Sequence, residues 1–392
     1  MSLQNTPAAE RTHIGIFGKR NAGKSSLINA LTGQDLAIVS EKKGTTTDPV
    51  SKSMELLPLG PVVLIDTPGL DDIGDLGQLR IQKAYQVLNK TDIALLVIDA
   101  TVGQTKEDSL ILEQIKAKQI PYLIVMNKED LASSQAYDTE VFPVSSTTGK
   151  NIFELKEAIA ALAKVETTKK YIVGDLIQPK DLVILVVPID SAAPKGRLIL
   201  PQQQTLRDIL DAHATALVVQ ATELENTLQS IGKKPVLVIT DSQIFQEVSE
   251  IVPENIPLTS FSVLFARYKG ELHSLVAGSS KLVDLQDGDR ILICEGCTHH
   301  RQCDDIGTVK LPKWIQHYTK KNLHFEWTSG TDFPLDISNY QLIIHCGGCM
   351  LHPREMQHRI HVAQEQGIPI TNYGMAIAKM NDILTRSLQI FT

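Results

Sequence analysis

The sequence has no cysteine before position 294, no long apolar run and no excess of basic side chains. No stretch reaches the roughly 18 uninterrupted apolar residues that a membrane-spanning helix needs, so no membrane association is predicted. The polar segment Met1–Thr12 lacks the apolar core of a secretory signal, which makes a cytoplasmic location the expectation. The formal net charge of -7 argues against a partner held mainly through nucleic-acid phosphates, and no nucleic-acid partner is expected.

The chain of 392 residues exceeds the size at which one hydrophobic core keeps growing, so several domains are expected. Short apolar runs alternate with helical patterns, which is typical of α/β domains with mostly parallel sheets. We predict three such domains, at residues 1–168, 169–264 and 265–392. The predicted strands are Ile14–Phe17, Val62–Ile65, Ile93–Ile98, Tyr122–Met126 and Val141–Val144, then Leu182–Val187, Ala216–Val219 and Val236–Ile239, and finally Arg290–Ile293, Leu323–Trp327, Leu342–His345 and Ile368–Thr371.

A phosphate-binding motif follows the first predicted strand. The run Gly18-Lys-Arg-Asn-Ala-Gly-Lys-Ser25 matches GxxxxGK[S/T] and opens a helix predicted over Ser25–Leu31. Backbone N–H groups are expected to hold the phosphates, Lys24 to neutralise the outer ones, and the Ser25 hydroxyl to bind Mg²⁺. The predicted phosphate-binding residues are Asn21, Ala22, Gly23, Lys24, Ser25 and Ser26.

Two further elements complete the predicted phosphate and magnesium site. Asp66-Thr-Pro-Gly69 fits the DxxG pattern, in which the Asp66 carboxylate approaches Mg²⁺ and the Gly69 amide senses the terminal phosphate. Gly44-Thr-Thr-Thr-Asp48 supplies a switch threonine, and we favour Thr46 as the one that reaches Mg²⁺. The predicted catalytic groups are therefore Lys24, Thr46 and Gly69.

The predicted base is guanine. Asn127-Lys128-Glu-Asp130 ends a later strand and fits the NKxD pattern. The Asp130 carboxylate can accept hydrogen bonds from the N1–H and the N2 amino group of guanine, a pair of donors that adenine lacks. A backbone N–H from the segment Ser145-Ser146 is expected at guanine O6. The predicted ligand is GTP with Mg²⁺.

The order and spacing of these motifs over Ile14–Val165 resemble the GTPases of the tRNA-modification and ribosome-assembly group, the TrmE/Era type. Asn21 stands where potassium-stimulated members of that group have a metal-binding asparagine, so the resemblance implies K⁺ near the phosphates. Leu70 stands where signalling GTPases have the glutamine that orients the attacking water, and slow hydrolysis is expected. Thr47 replaces the arginine common in this group.

The five cysteines all lie between Cys294 and Cys349. Cys297-Thr-His299 and His345-Cys346-Gly-Gly-Cys349 each follow a predicted strand, so the two loops meet at one sheet edge if those strands are parallel neighbours. Thiolates select zinc, copper(I) or iron–sulfur clusters, and the spacing leaves zinc and a cluster open. Cys294 closes a hydrophobic strand and is interpreted as a core thiol.

Together the two halves resemble the FeFe-hydrogenase H-cluster maturation GTPase family, the HydF-like proteins. Its members join this GTPase type to a middle dimerisation domain and a C-terminal cluster domain marked by CxH and HCxxC. The resemblance implies a 4Fe-4S cluster held by Cys297, Cys346 and Cys349, with one iron open to exchange. The fourth ligand stays open among His299, His345 and the carboxylates Asp304 and Asp305.

The resemblance also implies partners and cargo. Members of the family receive a diiron precursor made with two radical SAM maturases and deliver it to apo FeFe-hydrogenase, and they act as homodimers. One alternative is an RNA-directed GTPase with a C-terminal zinc module. The negative net charge of the chain argues against this alternative. A radical or redox enzyme is a second alternative, but the compact CxxxCxxC run of radical enzymes does not occur.

Overall fold

The computed structural model has two compact units, Met1–Thr168 and Lys169–Thr392. Within the described ranges, no helix has both the length and the apolar character needed to cross a membrane. The structure describes residues 6–33, 49–69, 75–132, 141–165, 170–189, 198–296, 305–330 and 332–391.

The first unit is built on a six-stranded sheet with the order β2-β3-β1-β4-β5-β6. All neighbouring strands are parallel except β2, which runs antiparallel to β3. Buried apolar side chains cover both faces of the sheet, which is why its central strands are nearly continuous hydrophobic runs. The strands are β1 (Thr12–Phe17), β2 (Val50–Leu56), β3 (Gly60–Asp66), β4 (Ile93–Asp99), β5 (Tyr122–Asn127) and β6 (Val141–Pro143), and the helices are α1 (Lys24–Thr32), α2 (Asp75–Leu88), α3 (Lys106–Ala117) and α4 (Ile152–Val165).

The second unit contains two four-stranded parallel sheets, ordered β10-β9-β7-β8 and β12-β11-β13-β14. The strands are β7 (Leu182–Val186), β8 (Thr215–Val219), β9 (Leu237–Thr240), β10 (Leu258–Ser260), β11 (Arg290–Glu295), β12 (His324–Ser329), β13 (Leu342–His345) and β14 (Ile370–Asn372). The helices are α5 (Leu200–Asp211), α6 (Ala221–Ser230), α7 (Phe245–Ile251), α8 (Phe261–Lys269), α9 (Leu272–Ser279), α10 (Leu311–Thr319), α11 (Pro353–Glu365), α12 (Tyr373–Met380) and α13 (Leu384–Leu388). The predicted fold class, a P-loop GTPase domain followed by further α/β domains with mostly parallel sheets, is confirmed.

Helix α8 belongs to the cores of both sheets in the second unit. Phe261 and Phe265 pack with the side chains of β7 and β9, whereas Val263 and Ala266 pack with those of β11 and β13. A Cβ atom on Gly374 of α12 would lie 2.1 Å from Ser262 Cβ, so the two helices approach too closely for any larger residue. The predicted domain division between residues 264 and 265 falls inside α8 and stays a prediction.

The strand order brings three chain segments to one edge. β11 pairs with β13 in parallel, with Cys294 opposite His345, and β13 pairs with β14, with His345 opposite Asn372. The expectation that the strands before the two cysteine loops are parallel neighbours is confirmed. The segments that follow β11, β13 and β14 therefore all leave the sheet at its carboxyl edge, where α/β folds form their ligand crevices.

Candidate nucleotide and metal sites

The loop between β1 and α1 has the backbone conformation of a phosphate-binding loop. Gly18, Asn21 and Gly23 have φ values of 138°, 63° and 90°. A Cβ atom on Gly18 would lie 2.2 Å from Val97 O, so this position admits only glycine. The buried Lys24 side chain folds back over the loop, and its Nζ donates to Gly18 O at 2.9 Å. The loop thus has an ammonium group beside it and leads into the N-terminus of α1, and a helix N-terminus binds phosphates.

Ser25 and Asp66 form an oxygen pair beside this loop. Ser25 Oγ donates to Asp66 Oδ2 at 2.8 Å, and Asp66 Oδ1 is buried with no hydrogen-bond partner among the described residues. Burial raises the pKa of Asp66, while the Ser25 hydrogen bond and the Lys24 charge oppose that rise. A hydroxyl beside an under-satisfied carboxylate oxygen is the kind of donor set that Mg²⁺ prefers, and these residues fit the ion. Thr46, the predicted third ligand, lies outside the described residues.

The DxxG segment contacts the phosphate loop directly. A Cβ atom on Gly69 would lie 2.8 Å from Arg20 Cβ and 2.9 Å from its backbone nitrogen. Gly69 therefore allows the segment after β3 to lie against the loop after β1. This placement puts the Gly69 amide next to the phosphate-binding segment.

Asn127 ties the phosphate loop to the predicted base-binding segments. Its Nδ2 donates to Ala22 O at 3.1 Å, and its Oδ1 accepts from Ser146 N at 3.1 Å and from Ser146 Oγ at 2.8 Å. Ser145 is buried next to Ser146 in the chain, two residues after the end of β6. Asn127 thus positions two loops at once, a role that its place in the NKxD pattern does not reveal.

The two remaining residues of the NKxD pattern lie in a turn after β5. Lys128 has a φ of 62°, and its Nζ pairs with Asp99 Oδ2 at 2.6 Å. Asp130 follows in a short 3-10 turn with its side chain exposed to solvent. Asp99, at the end of β4, was missed by the sequence reasoning, although its place at a strand end is the same signal that identifies Asp66 and Asn127.

At the other end of the chain, the loop after β11 touches the loop after β13. Gly296 N donates to Cys346 Sγ at 3.0 Å, Gly348 N donates to the same sulfur at 3.4 Å, and Cys346 N donates to Cys294 O at 2.8 Å. Backbone N–H groups directed at a cysteine sulfur stabilise its thiolate form. Gly296, the last described residue before Cys297, therefore lies at the Cys346 sulfur.

The other predicted ligands of this loop lie outside the described residues. Cys297, His299 and Asp304 fall in the segment 297–304, which the structure does not describe. Within the described ranges, no group of three His, Cys, Asp or Glu side chains is arranged to hold a metal ion. The three predicted thiolate ligands are therefore not placed together by the structure.

His345 is fully buried, and both of its ring nitrogens have partners. Nε2 lies 2.9 Å from Arg359 Nη1, and Nδ1 lies 2.8 Å from Cys346 O. Because a guanidinium can only donate, Nε2 must accept, and the ring hydrogen is on Nδ1, directed at Cys346 O. Burial and the Arg359 charge lower the pKa of His345 to about 3. The neutral imidazole holds the Cys346 backbone, and direct ligation through Nε2 would require breaking the bond from Arg359.

Acidic side chains gather around Tyr373 near the same sulfur. The Tyr373 hydroxyl lies 3.4 Å from Glu295 Oε1, and its pKa is raised by burial and by the charges of Cys346, Glu295 and Asp305. Asp305 Oδ2 accepts from Thr308 N and Oγ1 at 2.9 Å each, so this oxygen caps the turn Ile306–Lys310. Glu295 was missed by the sequence reasoning, because a glutamate that ends an apolar strand is normally interpreted as a solvent-exposed residue.

Cys294 lies in the hydrophobic core below the site. Its side chain is fully buried among apolar residues of β11, β13 and α8, and burial raises the pKa of its thiol to about 11. A thiol in these surroundings stays protonated at neutral pH. The position agrees with the interpretation of Cys294 as a core residue.

Three family models match the chain. Residues 13–128 match a model described as 50S ribosome-binding GTPase. Residues 172–270 match the hydrogen maturase F dimerization domain, and residues 273–390 match the hydrogen maturase F tetramerization domain. The last two models describe one family and together extend over more than half of the chain. The chain belongs to the hydrogen maturase F family.

Relatives of this hydrogen maturase F protein are GTPases of the TrmE/Era type, as predicted. The tRNA modification GTPase MnmE of Synechococcus sp. is 37% identical over 155 residues, which are 38% of this chain and 33% of that protein. GTPase Era of Rippkaea orientalis is 28% identical over 253 residues, which are 59% of this chain and 76% of that protein. The chain spans about a third of the length of the MnmE relatives it matches.

Among solved structures, Era from Aquifex aeolicus is similar to this hydrogen maturase F protein at 22% identity and a TM-score of 0.34, covering 56% of this chain and 98% of that chain. The family matches carry the assignment. The first unit is a GTPase domain, and the matched dimerization and tetramerization domains support an oligomeric protein.

Proposed function

We propose that this protein is a GTP-hydrolysing scaffold and carrier that holds a 4Fe-4S cluster and a diiron precursor and delivers the precursor to apo FeFe-hydrogenase. The observation that carries the proposal is the contact between the two cysteine loops, in which Gly296 N donates to Cys346 Sγ at 3.0 Å. In a chain of the hydrogen maturase F family, a contact between Gly296, the residue before Cys297, and the Cys346 sulfur supports a shared cluster site.

The chemistry of these residues fits an iron–sulfur cluster. Thiolates are the ligands that hold such clusters, and amide hydrogen bonds to their sulfurs help to set the reduction potential. Three cysteines leave one iron of a cubane cluster with an exchangeable ligand, which is what a carrier needs in order to hold and release cargo. The Tyr373 hydroxyl and Glu295 Oε1 lie 3.4 Å apart at the same sheet edge, where such cargo would be held.

Metal analysis of protein prepared without air tests the proposal. We expect about four iron atoms per chain, as a cubane cluster requires, and a brown protein with broad absorbance near the blue end of the visible range. Zinc without iron would instead favour the RNA-directed GTPase with a zinc module. Delivery is tested by incubating the protein with the two radical SAM maturases, re-isolating it, and measuring hydrogen evolution after it is added to apo FeFe-hydrogenase.

The nucleotide site is proposed to bind GTP, Mg²⁺ and K⁺ and to hydrolyse GTP slowly. Ser25 and Asp66 would hold Mg²⁺ together with Thr46, and Asn21 would contribute to a K⁺ site. The Asn21 backbone, at φ 63°, turns within the phosphate loop. Docking of the partner proteins is proposed to depend on whether GTP or GDP is bound, since both Gly69 and the Thr46 segment belong to regions that sense the terminal phosphate.

Replacing Asn21 by alanine should abolish the response of hydrolysis to potassium. In wild-type protein we expect about tenfold faster hydrolysis in potassium than in sodium at equal ionic strength, corresponding to ~1.4 kcal/mol of transition-state stabilisation. Asn21→Ala should hydrolyse GTP at the sodium rate in both salts. Asn29→Ala, in α1, is the matched control and should keep the response. Equal wild-type rates in the two salts would remove the K⁺ site from the proposal.

The protein is proposed to form a homodimer through β8, the last strand of its sheet. β8 pairs only with β7 among the described strands, and Val218 on it is 41% exposed. An unpaired edge strand offers a row of backbone groups to a second copy, which can continue the sheet across a two-fold axis.

A charge on this strand should weaken the dimer. We expect Val218→Lys to raise the dimer dissociation constant about tenfold or more, because two like charges would then face each other across the axis. Light scattering over a concentration series measures the effect. Val102→Lys is the matched control, since Val102 is 68% exposed in the GTPase unit and should leave the dimer unchanged. A monomeric wild type at micromolar concentration would contradict the proposal.

A further inference from the structure

A buried lysine at the end of α8 contacts the loop that carries Cys346 and Cys349. The Lys269 side chain is 1% exposed, and its Nζ donates to Gly348 O at 3.2 Å, to Cys349 O at 2.8 Å and to Leu351 O at 3.1 Å. The three carbonyl groups match the three hydrogens of an ammonium group. The aromatic ring of Phe265, one turn earlier in α8, lies 5.9 Å from Nζ.

The Lys269 ammonium lies on the carbonyl side of two peptide groups in this loop. The carbonyls of Gly348 and Cys349 share their peptide planes with the amides of Cys349 and Met350. In a trans peptide the C=O and the N–H point in opposite directions. Both carbonyls face the Lys269 ammonium, so the amides of Cys349 and Met350 point away from it. An ammonium that holds and polarises the carbonyls therefore fixes the direction of these amide hydrogens and strengthens their positive end.

A buried ammonium costs free energy that an apolar side chain of the same length would not. Methionine could fill the same space. What lysine adds is a positive charge and three donors, both directed at a loop that is expected to carry thiolates. The helix that carries Lys269 also belongs to both cores of the second unit, because α8 packs against β7 and β9 as well as against β11 and β13.

We propose that Lys269 is a positioning residue for the cluster site: it holds the loop from Cys346 to Leu351 in place and raises the reduction potential of the cluster bound there. The inference rests on the proposed function. A positive charge in a medium of low dielectric constant favours the more negative, reduced form of a cluster, and amide hydrogen bonds to its sulfurs act in the same direction.

The test uses full-length protein carrying Lys269→Met, reconstituted without air beside the wild type. At a fixed potential we expect the ratio of reduced to oxidised cluster to fall about tenfold, which is ~59 mV for a one-electron couple. An EPR-monitored redox titration measures it. We also expect a chelator to remove iron faster from the variant. Lys234→Met is the matched control, since Lys234 Nζ also donates to a carbonyl, Asn255 O at 3.0 Å, but on the surface.

A second variant separates the charge from the hydrogen bonds. Lys269→Gln keeps two amide donors and loses the charge, so we expect it to regain resistance to the chelator and to keep the lowered potential. An unchanged potential in folded Lys269→Met and Lys269→Gln proteins would overturn the inference while leaving the proposed function intact. A wild type without iron would remove the proposed function and this inference together, before any variant is compared.

A measurement on the wild type covers the case in which the variants do not fold. The amide hydrogens of Cys349 and Met350 should exchange slowly with solvent in cluster-loaded protein, because Lys269 holds the carbonyls of the peptide groups that carry them. Exchange as fast as in an unprotected loop would overturn the inference.

Discussion

Cys346→Ala protein, prepared without air, will contain about a tenth or less of the iron in the wild type. Removal of one thiolate from a site with three leaves two irons without a thiolate ligand, and each ~1.4 kcal/mol lost in binding raises the dissociation constant of the cluster tenfold. The effect should be large here because both loops donate to this sulfur, Gly296 N at 3.0 Å and Gly348 N at 3.4 Å. Elemental analysis and the visible spectrum measure the loss.

Cys294→Ala is the matched control for this result. Its thiol is fully buried in the core and packs with apolar side chains, so alanine should lower stability by about 1 kcal/mol and leave the iron content unchanged. Hydrolysis of GTP by both variants should equal that of the wild type, since the substitutions lie in the second unit. Full iron occupancy in Cys346→Ala would contradict the assignment of this sulfur as a ligand.

Asp130→Asn will bind GTP about 100-fold more weakly than the wild type. The carboxylate is expected to accept two charge-assisted hydrogen bonds from guanine, and each contributes ~1.5 kcal/mol, which together correspond to about two orders of magnitude in Kd. The asparagine can still accept from N1–H, but it presents an amide hydrogen to the N2 amino group. Xanthosine triphosphate has a carbonyl at that position, so the variant should bind it more tightly than GTP.

Nucleotide titrations on the wild type and the variant measure both affinities. Glu129→Gln is the matched control: Glu129 is adjacent in the chain, but its carboxylate pairs with Lys150 at 2.8 Å, and its loss should leave GTP binding within about twofold. A variant of Asp130 that keeps full affinity for GTP would show that guanine is not recognised by this carboxylate.

The sequence predicted the sheet strands well where they are continuous apolar runs, as in Ile93–Ile98, because burial on both faces leaves little choice of residue. It missed β2, whose residues Val50–Leu56 include several polar side chains, since an edge strand is covered on one side only. The interior of α8 was missed for the opposite reason. A helix shared between two cores is apolar nearly all round and shows no clear helical stripe.

At the sites, the sequence identified residue types but not their hydrogen bonds. The neutral state of His345 depends on its burial and on Arg359, which α11 brings to it. The contact of Lys269 with the cysteine loop joins positions some eighty residues apart. Such contacts depend on how helices pack on a sheet, and no local pattern encodes them. The NKxD and GxxxxGK[S/T] motifs are easier to recognise in a sequence, because each is a single loop at a strand end.

A helix shared between two cores has a mechanical consequence. Since α8 packs with the sheet that ends at β8 and also presents Lys269 to the loop after β13, one helix connects the sheet of the proposed pairing surface to the loop of Cys346 and Cys349. A rotation of one copy against the other would be transmitted as a rigid displacement rather than absorbed along the way. Formation of the oligomer and binding of the cluster would then influence each other through α8.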